Sequence, residues 1–230
     1  MGRTVIVTGG TGGLGGAVTR AHLDDGWRVV VPWVAERELE RVPAHDRLHL
    51  VQADLFERDS VARVVELARG DADAPLTAVV NLVGGFAQGG RVHETPVEDF
   101  EAQLRLNLRP TYLVTQAALP ALLEAGGGAI VCVSARPALR PFPGAVGYIT
   151  AKAAILAFVD VLAAEYRDDG VRANAILPSV IDTPANRAAQ PDADHDRWVR
   201  PEEIAAVVRF LCSDGSGPMS GGRVPVYGRA

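Results

Sequence analysis

Tyr148 and Lys152 stand four positions apart in the run Tyr148-Ile149-Thr150-Ala151-Lys152. On a helix that spacing puts both side chains on one face. An ammonium beside a phenol favours the phenolate, so the phenol is expected to titrate nearer neutrality. Such a tyrosine can give or take a proton at ordinary pH. Ser134 lies 14 residues upstream of Tyr148, at the end of an apolar strand-like run, where its hydroxyl could hold and polarise a carbonyl or alcohol oxygen. Asn107 lies further upstream. Lys152 is the only lysine in the chain, every other basic side chain being arginine or histidine. A tunable ammonium where arginine would serve at the surface points to a chemical demand.

The second chemical feature is the turn Thr8-Gly9-Gly10-Thr11-Gly12-Gly13-Leu14-Gly15, which follows an apolar strand and opens a helix. Glycines let the backbone turn tightly and approach a pyrophosphate. The helix start then offers free N–H groups and a partial positive charge. A dinucleotide turn combined with a tyrosine proton donor implies hydride transfer to and from a carbon–oxygen bond.

These residues need a scaffold. Apolar strand patterns cover Arg3–Thr8, Trp27–Trp33, Leu48–Ala53, Leu76–Val83, Ala129–Ser134, Val171–Leu177 and Arg223–Tyr227. Helical patterns cover Leu14–Asp25, Glu36–Val42, Glu57–Arg69, Val97–Leu106, Leu108–Glu124, Tyr148–Arg167 and Pro201–Cys212. Near-continuous apolar strands alternating with helices indicate a parallel sheet covered on both faces. The expected fold is α/β, a single-domain Rossmann-like doubly wound sheet of about seven strands. One domain spans residues 1–230, and the irregular stretch at about 184–200 is a candidate substrate loop.

Composition agrees. The chain has 230 residues, is 48% hydrophobic and 22% charged, and carries a net charge of −5 with the signs interspersed. One large core is expected, with no nucleic-acid patch. No apolar run reaching about 18 residues is expected, and no leader sequence, so the reading is a soluble cytoplasmic protein without membrane contact. Cys132 and Cys212 lie far apart and suggest neither metal nor disulfide. Asp192, Asp194 and Asp196 alternate like a calcium loop, but Arg197 stands where the required glycine should be, so no metal is expected.

The glycine spacing, T-G-x-x-x-G-x-G with Gly9, Gly13 and Gly15, resembles the short-chain dehydrogenase/reductase family in its compact form. The resemblance runs along nearly the whole chain with the motifs in the family's order. It implies an NAD(P)(H)-dependent oxidoreductase that interconverts a ketone and a secondary alcohol, with Asn107, Ser134, Tyr148 and Lys152 as a catalytic tetrad. Asn107 would hold a water beside Lys152 through its backbone, and Lys152 would also reach the nicotinamide ribose. The cofactor would meet Gly9, Thr11, Gly12, Gly13, Leu14 and Gly15. Asp54 and Leu55 would lie at the adenine, and Asn81, Val83 and Gly84 would form the floor. Pro178-Ser179-Val180-Ile181-Asp182-Thr183 resembles the family's P-G-x-x-x-T, with Ser179 in place of glycine; Pro178, Ile181 and Thr183 would meet the nicotinamide end.

The end of the second strand decides the cofactor in this family. Here Trp33 or Val34 occupies the deciding place, and no acidic residue does. Trp33 could pack near adenine or belong to the core. Arg37 could reach a 2′-phosphate, while Glu36 could favour a bare ribose. The missing acid tips the reading toward NADP(H). Candidate substrate residues are Phe86 and Phe142 as apolar walls, with Arg136, Ser179 and Asn186 as polar contacts. The resemblance also implies homodimers or homotetramers through the Leu108–Glu124 and Tyr148–Arg167 helices. The alternative from another class is a non-catalytic nucleotide sensor on the same fold.

Overall fold

A computed structural model describes residues 2–229. Seven strands form one parallel sheet in the order β3-β2-β1-β4-β5-β6-β7. They are β1 (Thr4–Thr8), β2 (Arg28–Trp33), β3 (Leu48–Gln52), β4 (Leu76–Asn81), β5 (Gly128–Val133), β6 (Val171–Pro178) and β7 (Arg223–Val226). The helices are α1 (Gly13–Asp24), α2 (Arg58–Arg69), α3 (Val97–Glu124), α4 (Val146–Glu165), α5 (Pro184–Ala189) and α6 (Pro201–Cys212).

Alternation along each strand sorts the core into two layers. Val5 and Val7 join Val131, Val133 and Ile176 against α1 and α6. Ile6, Ile130 and Cys132 face the other way, onto α2, α3 and α4. All five residues of β1 are buried, as a central parallel strand requires. The chain order reverses between β1 and β4, which lie side by side. Ligands in doubly wound sheets bind at the carboxyl ends of the strands at such a reversal. The glycine turn leaves β1 there, and Leu82–Gly85 leave β4 beside it.

The sequence pattern misreads three elements. The two helices expected at Val97–Leu106 and Leu108–Glu124 are one 28-residue helix, α3, with Pro110 and Pro120 inside it. A proline removes one helical hydrogen bond, but α3 packs along β4, α2 and α4, and that tertiary support carries it through. The Glu36–Val42 pattern gives a 3₁₀ turn over Glu36–Arg41 instead of an α-helix. Inside the expected substrate loop, Pro184–Ala189 forms the short helix α5, with the Thr183 side chain accepting from the Asn186 backbone N–H at 3.2 Å.

By length and composition α4 does reach a membrane-spanning apolar stretch, with a mean hydropathy of 1.7, contrary to the sequence expectation. Its packing against α3, β5 and β6 is that of a core helix.

Candidate active site

The glycine turn is fixed by backbone crowding. Gly9 has φ +67°, in the left-handed region, and a Cβ on Gly15 would lie 1.9 Å from the Gly9 carbonyl oxygen. No other residue fits Gly15 without moving the turn. The α1 N-cap, Gly12, is extended and makes no side-chain cap hydrogen bond. The first N–H groups of α1 are therefore left for an anionic ligand.

A cavity of about 440 Å³ opens at this turn. Its lining includes Gly9, Thr11, Gly12, Gly13, Leu14 and Gly15 of the turn and Trp33, Asp54, Leu55, Val83 and Gly84 beyond it, positions singled out from the sequence. The Asp54 carboxylate accepts from the Phe56 backbone N–H at 2.9 Å, which sets the bend after β3. A Cβ on Gly13 would meet the Thr183 methyl at 2.9 Å, so the segment after β6 closes directly over the turn. An uncapped helix start, a turn passable only to glycine and a cavity running from Trp33 to Gly84 fit a dinucleotide.

Some expected cofactor residues lie elsewhere. Asn81 is buried beneath the floor, where its amide donates to Thr115 Oγ1 at 3.0 Å and its Oδ1 has no hydrogen-bond partner. Arg37 is exposed and does not line the cavity; Glu38 lines it instead.

Gly84 joins this cavity to the proposed chemistry. A Cβ there would lie 2.6 Å from Asn107 Oδ1 and 3.1 Å from Lys152 Nζ. Asn107 is fully buried, and its side chain clamps the next residue from both sides. Its Oδ1 accepts from the Gly85 N–H at 3.1 Å, and its Nδ2 donates to the Gly85 carbonyl at 3.0 Å. Gln103 supports this amide from one turn back. That clamp is the role the geometry gives the Asn107 side chain, and Gln103 was not picked out from the sequence.

Lys152 is 4% exposed, and its ammonium donates to the Val133 carbonyl at 3.1 Å. Nζ lies 5.8 Å from the centre of the Tyr148 ring. Burial lowers the Lys152 ammonium to about 8 and pushes the Tyr148 phenol up to about 12. The expected lowering of the phenol is therefore not found: desolvation raises it. The phenol stays protonated at neutral pH and is poised as a donor.

Ser134 departs further from expectation. It is 2% exposed, and its Oγ donates at 2.7 Å to the Lys152 backbone carbonyl. Strand alternation explains this, because Ile130, Cys132 and Ser134 all point toward α3 and α4. The hydroxyl ties β5 to the turn of α4 that carries Lys152. Ala135, which follows it, offers no hydroxyl.

The expected polar substrate contacts are likewise engaged. Ser179 Oγ donates to the Tyr227 carbonyl at 2.6 Å, and Asn186 Nδ2 donates to the Ile181 carbonyl at 2.8 Å. The Arg136 guanidinium lies over the Tyr227 ring at 5.2 Å. Pro178 ends β6, and Ile181 bridges to Val199. The aromatic positions lie together beside Tyr148. Phe86 packs edge-on against Tyr148 with ring centres 5.1 Å apart, and Phe142 lies 6.4 Å from Phe86. Phe86 is 58% exposed, an open apolar wall beside the phenol. Among the described residues no group of three or more His, Cys, Asp or Glu could hold a metal.

Comparison with known proteins points to one family. The family model for short chain dehydrogenase matches residues 3–194. The chain is 30% identical to 2-(R)-hydroxypropyl-CoM dehydrogenase of Xanthobacter autotrophicus, an alignment covering 99% of this chain and 98% of that one. It is also 30% identical to acetoacetyl-CoA reductase of Allochromatium vinosum, with 99% and 98% covered. A solved structure of ElxO with NADP bound superposes with a TM-score of 0.91 over 99% of this chain and 98% of that one; at 22% identity it speaks to the fold alone. The glycine-bounded cavity, the Tyr148–Lys152 pair beside it and the match along most of the sequence lead to one assignment: the chain belongs to the short-chain dehydrogenase family, oxidoreductases of alcohol and carbonyl groups that use a nicotinamide cofactor.

Proposed function

We propose that this chain interconverts a ketone and a secondary alcohol, with Tyr148 as the proton donor and acceptor. The single observation that carries the reading is the junction at Gly84. It lines the dinucleotide cavity, and its missing side chain leaves Lys152 and Asn107 in contact with the floor. When bound, the nicotinamide supplies or accepts the hydride. In the reducing direction the Tyr148 hydroxyl gives its proton to the carbonyl oxygen as that oxygen gains negative charge. The Lys152 ammonium nearby stabilises the tyrosinate left behind. In the oxidising direction the tyrosinate takes the alcohol proton. The Asn107 side chain holds Gly85, next to Gly84, so that the floor and the ammonium stay in register. Ser134 acts through Lys152, holding the helix backbone that presents it. Gly9, Gly12, Gly13, Gly15 and the α1 start would bind the pyrophosphate, and Ile181 and Thr183 would close over the nicotinamide end.

Phe86 and Phe142 favour a carbonyl compound with an apolar or aromatic flank. The engaged state of Arg136, Ser179 and Asn186 supports the same choice. One domain over 1–230 with a covering segment at 184–200 accounts for the site. Pairing of subunits as a homodimer or homotetramer is supported by the exposed Tyr112 and Leu123 of α3 and Val161 of α4. A cytosolic enzyme accords with two buried free thiols, Cys132 and Cys212.

The test is titration of the purified protein with NADH and NADPH by cofactor fluorescence, followed by a panel of aromatic and aliphatic ketones. Saturable binding with ketone-dependent cofactor oxidation is expected. Binding without turnover on any ketone would favour the nucleotide-sensor alternative.

A further inference from the structure

The cavity at the glycine turn has an acidic corner, and it is not where the strand pattern would put it. We infer that Glu38 recognises the 2′-hydroxyl of the adenosine ribose and excludes a 2′-phosphate, so that this chain selects NAD(H). The inference rests on the dinucleotide reading of the cavity and reverses the lean toward NADP(H) taken from the bare end of β2.

Three observations carry it. First, the Glu36–Arg41 segment forms a 3₁₀ turn, and this brings Glu38 back to the cavity wall with Trp33 and Val34 on one side and Gly12 and Gly13 on the other. Second, the carboxylate is held. Thr11, itself 7% exposed and part of the glycine turn, donates its hydroxyl to Glu38 Oε2 at 2.8 Å. Among the described residues no hydrogen bond engages the other carboxylate oxygen, which leaves an acceptor for a ribose hydroxyl. Third, among the described residues no arginine, lysine or histidine lines the cavity; Arg37 points to solvent. A phosphate dianion at this corner would meet a fixed carboxylate with no cation among the described lining residues to offset it, and like charges at close range are strongly unfavourable. A hydroxyl there would instead donate to that carboxylate, a charge-assisted bond.

The acid of a nucleotide-binding sheet is expected at the strand end. Here a residue five positions beyond Trp33 fills that role, because the 3₁₀ turn is tighter than an α-helix and folds back at once.

The experiment is calorimetric titration of the full chain with ADP-ribose and with 2′-phospho-ADP-ribose, ligands that cannot turn over. Wild type is expected to bind ADP-ribose at least ~10-fold more tightly. Glu38→Gln keeps the shape and removes the charge, and should shrink that ratio to within about threefold. Glu38→Asp keeps the charge and should keep the preference, which holds the test open if Glu38→Gln melts early by circular dichroism. Thr11→Val frees the carboxylate and should lower the ratio by less than Glu38→Gln does. Wild type binding the 2′-phosphorylated ligand as tightly or more tightly, or a ratio unmoved by Glu38→Gln, overturns the inference while leaving the dinucleotide reading intact. Failure of both ligands to bind would overturn the dinucleotide reading, and the inference with it.

Discussion

The two sides of the crevice treat their polar groups in opposite ways. On the cofactor side, α1 starts with no side-chain cap and, among the described residues, one Glu38 oxygen has no hydrogen-bond partner, so donors and an acceptor face the cavity. On the substrate side, Ser134, Ser179 and Asn186 are each hydrogen-bonded to a backbone carbonyl, and Arg136 rests on Tyr227. What remains open there is the Tyr148 phenol with Phe86 and Phe142. On the proposed function, polar recognition is thus concentrated on the dinucleotide, and the substrate side offers one proton donor within an apolar frame. A chain so arranged and so functioning would discriminate sharply between cofactors and weakly among ketones, since apolar contacts separate similar substrates by only ~1–3 kcal/mol.

Breaking the cofactor side should have the largest effect. Gly15→Ala puts a methyl 1.9 Å from the Gly9 carbonyl oxygen, against backbone that cannot swing away. Dinucleotide binding should fall beyond detection by fluorescence titration, and the melting temperature should drop, since overpacking of this kind costs ~1–3 kcal/mol. An unchanged affinity would mean that the turn does not hold the pyrophosphate.

Ser134→Ala sharpens the contrast from the substrate side. If the hydroxyl only ties β5 to α4, the change should cost about 1 kcal/mol in stability and roughly tenfold in kcat, with KM nearly constant. The pH profile should shift with it, because Lys152 is what the bond positions. A loss of several orders of magnitude would return Ser134 to the reacting oxygen.

The smallest effect is in the pH dependence of stability. Lys152 titrates near 8 in the folded protein against 10.5 as a free side chain, so from about 8 to 10 the unfolded chain binds more protons and stability from this group rises with pH. Tyr148 acts oppositely above 10, where its phenol, raised to about 12, stays protonated in the folded chain while the unfolded one ionises. Lys152→Met should remove the rise between 8 and 10, as followed by thermal melts. A variant showing the same rise would place the titration in another group.

What was legible in the sequence follows the same division. The strand pattern and the glycine turn are backbone demands, and these can be read directly: β1, its turn and Gly15 stand where the spacing puts them. The positions of Tyr148 and Lys152 follow from helix periodicity, and α4 carries both. Side-chain direction was harder to read. Ser134 ends a strand, and one step of alternation decides whether it faces the crevice or α4. Ser179 finds its partner at Tyr227, just past β7, and Asn186 at Ile181, just before α5, and the placement of both segments depends on tertiary packing. Glu38 was passed over for Glu36 and Arg37 because a helical pattern gave no reason to expect the 3₁₀ turn that turns it inward. The continuity of α3 through Pro110 was likewise hidden, being held by neighbouring elements.

On the proposed function, Tyr148 transfers the proton while the neighbouring cavity holds the cofactor. The most direct measurement compares wild type with Tyr148→Phe for NADH binding and for ketone-dependent NADH oxidation in the same preparation. Equal binding within about twofold and a rate lowered ~10²–10⁴-fold in the variant are expected. Equal rates in the two proteins would contradict it.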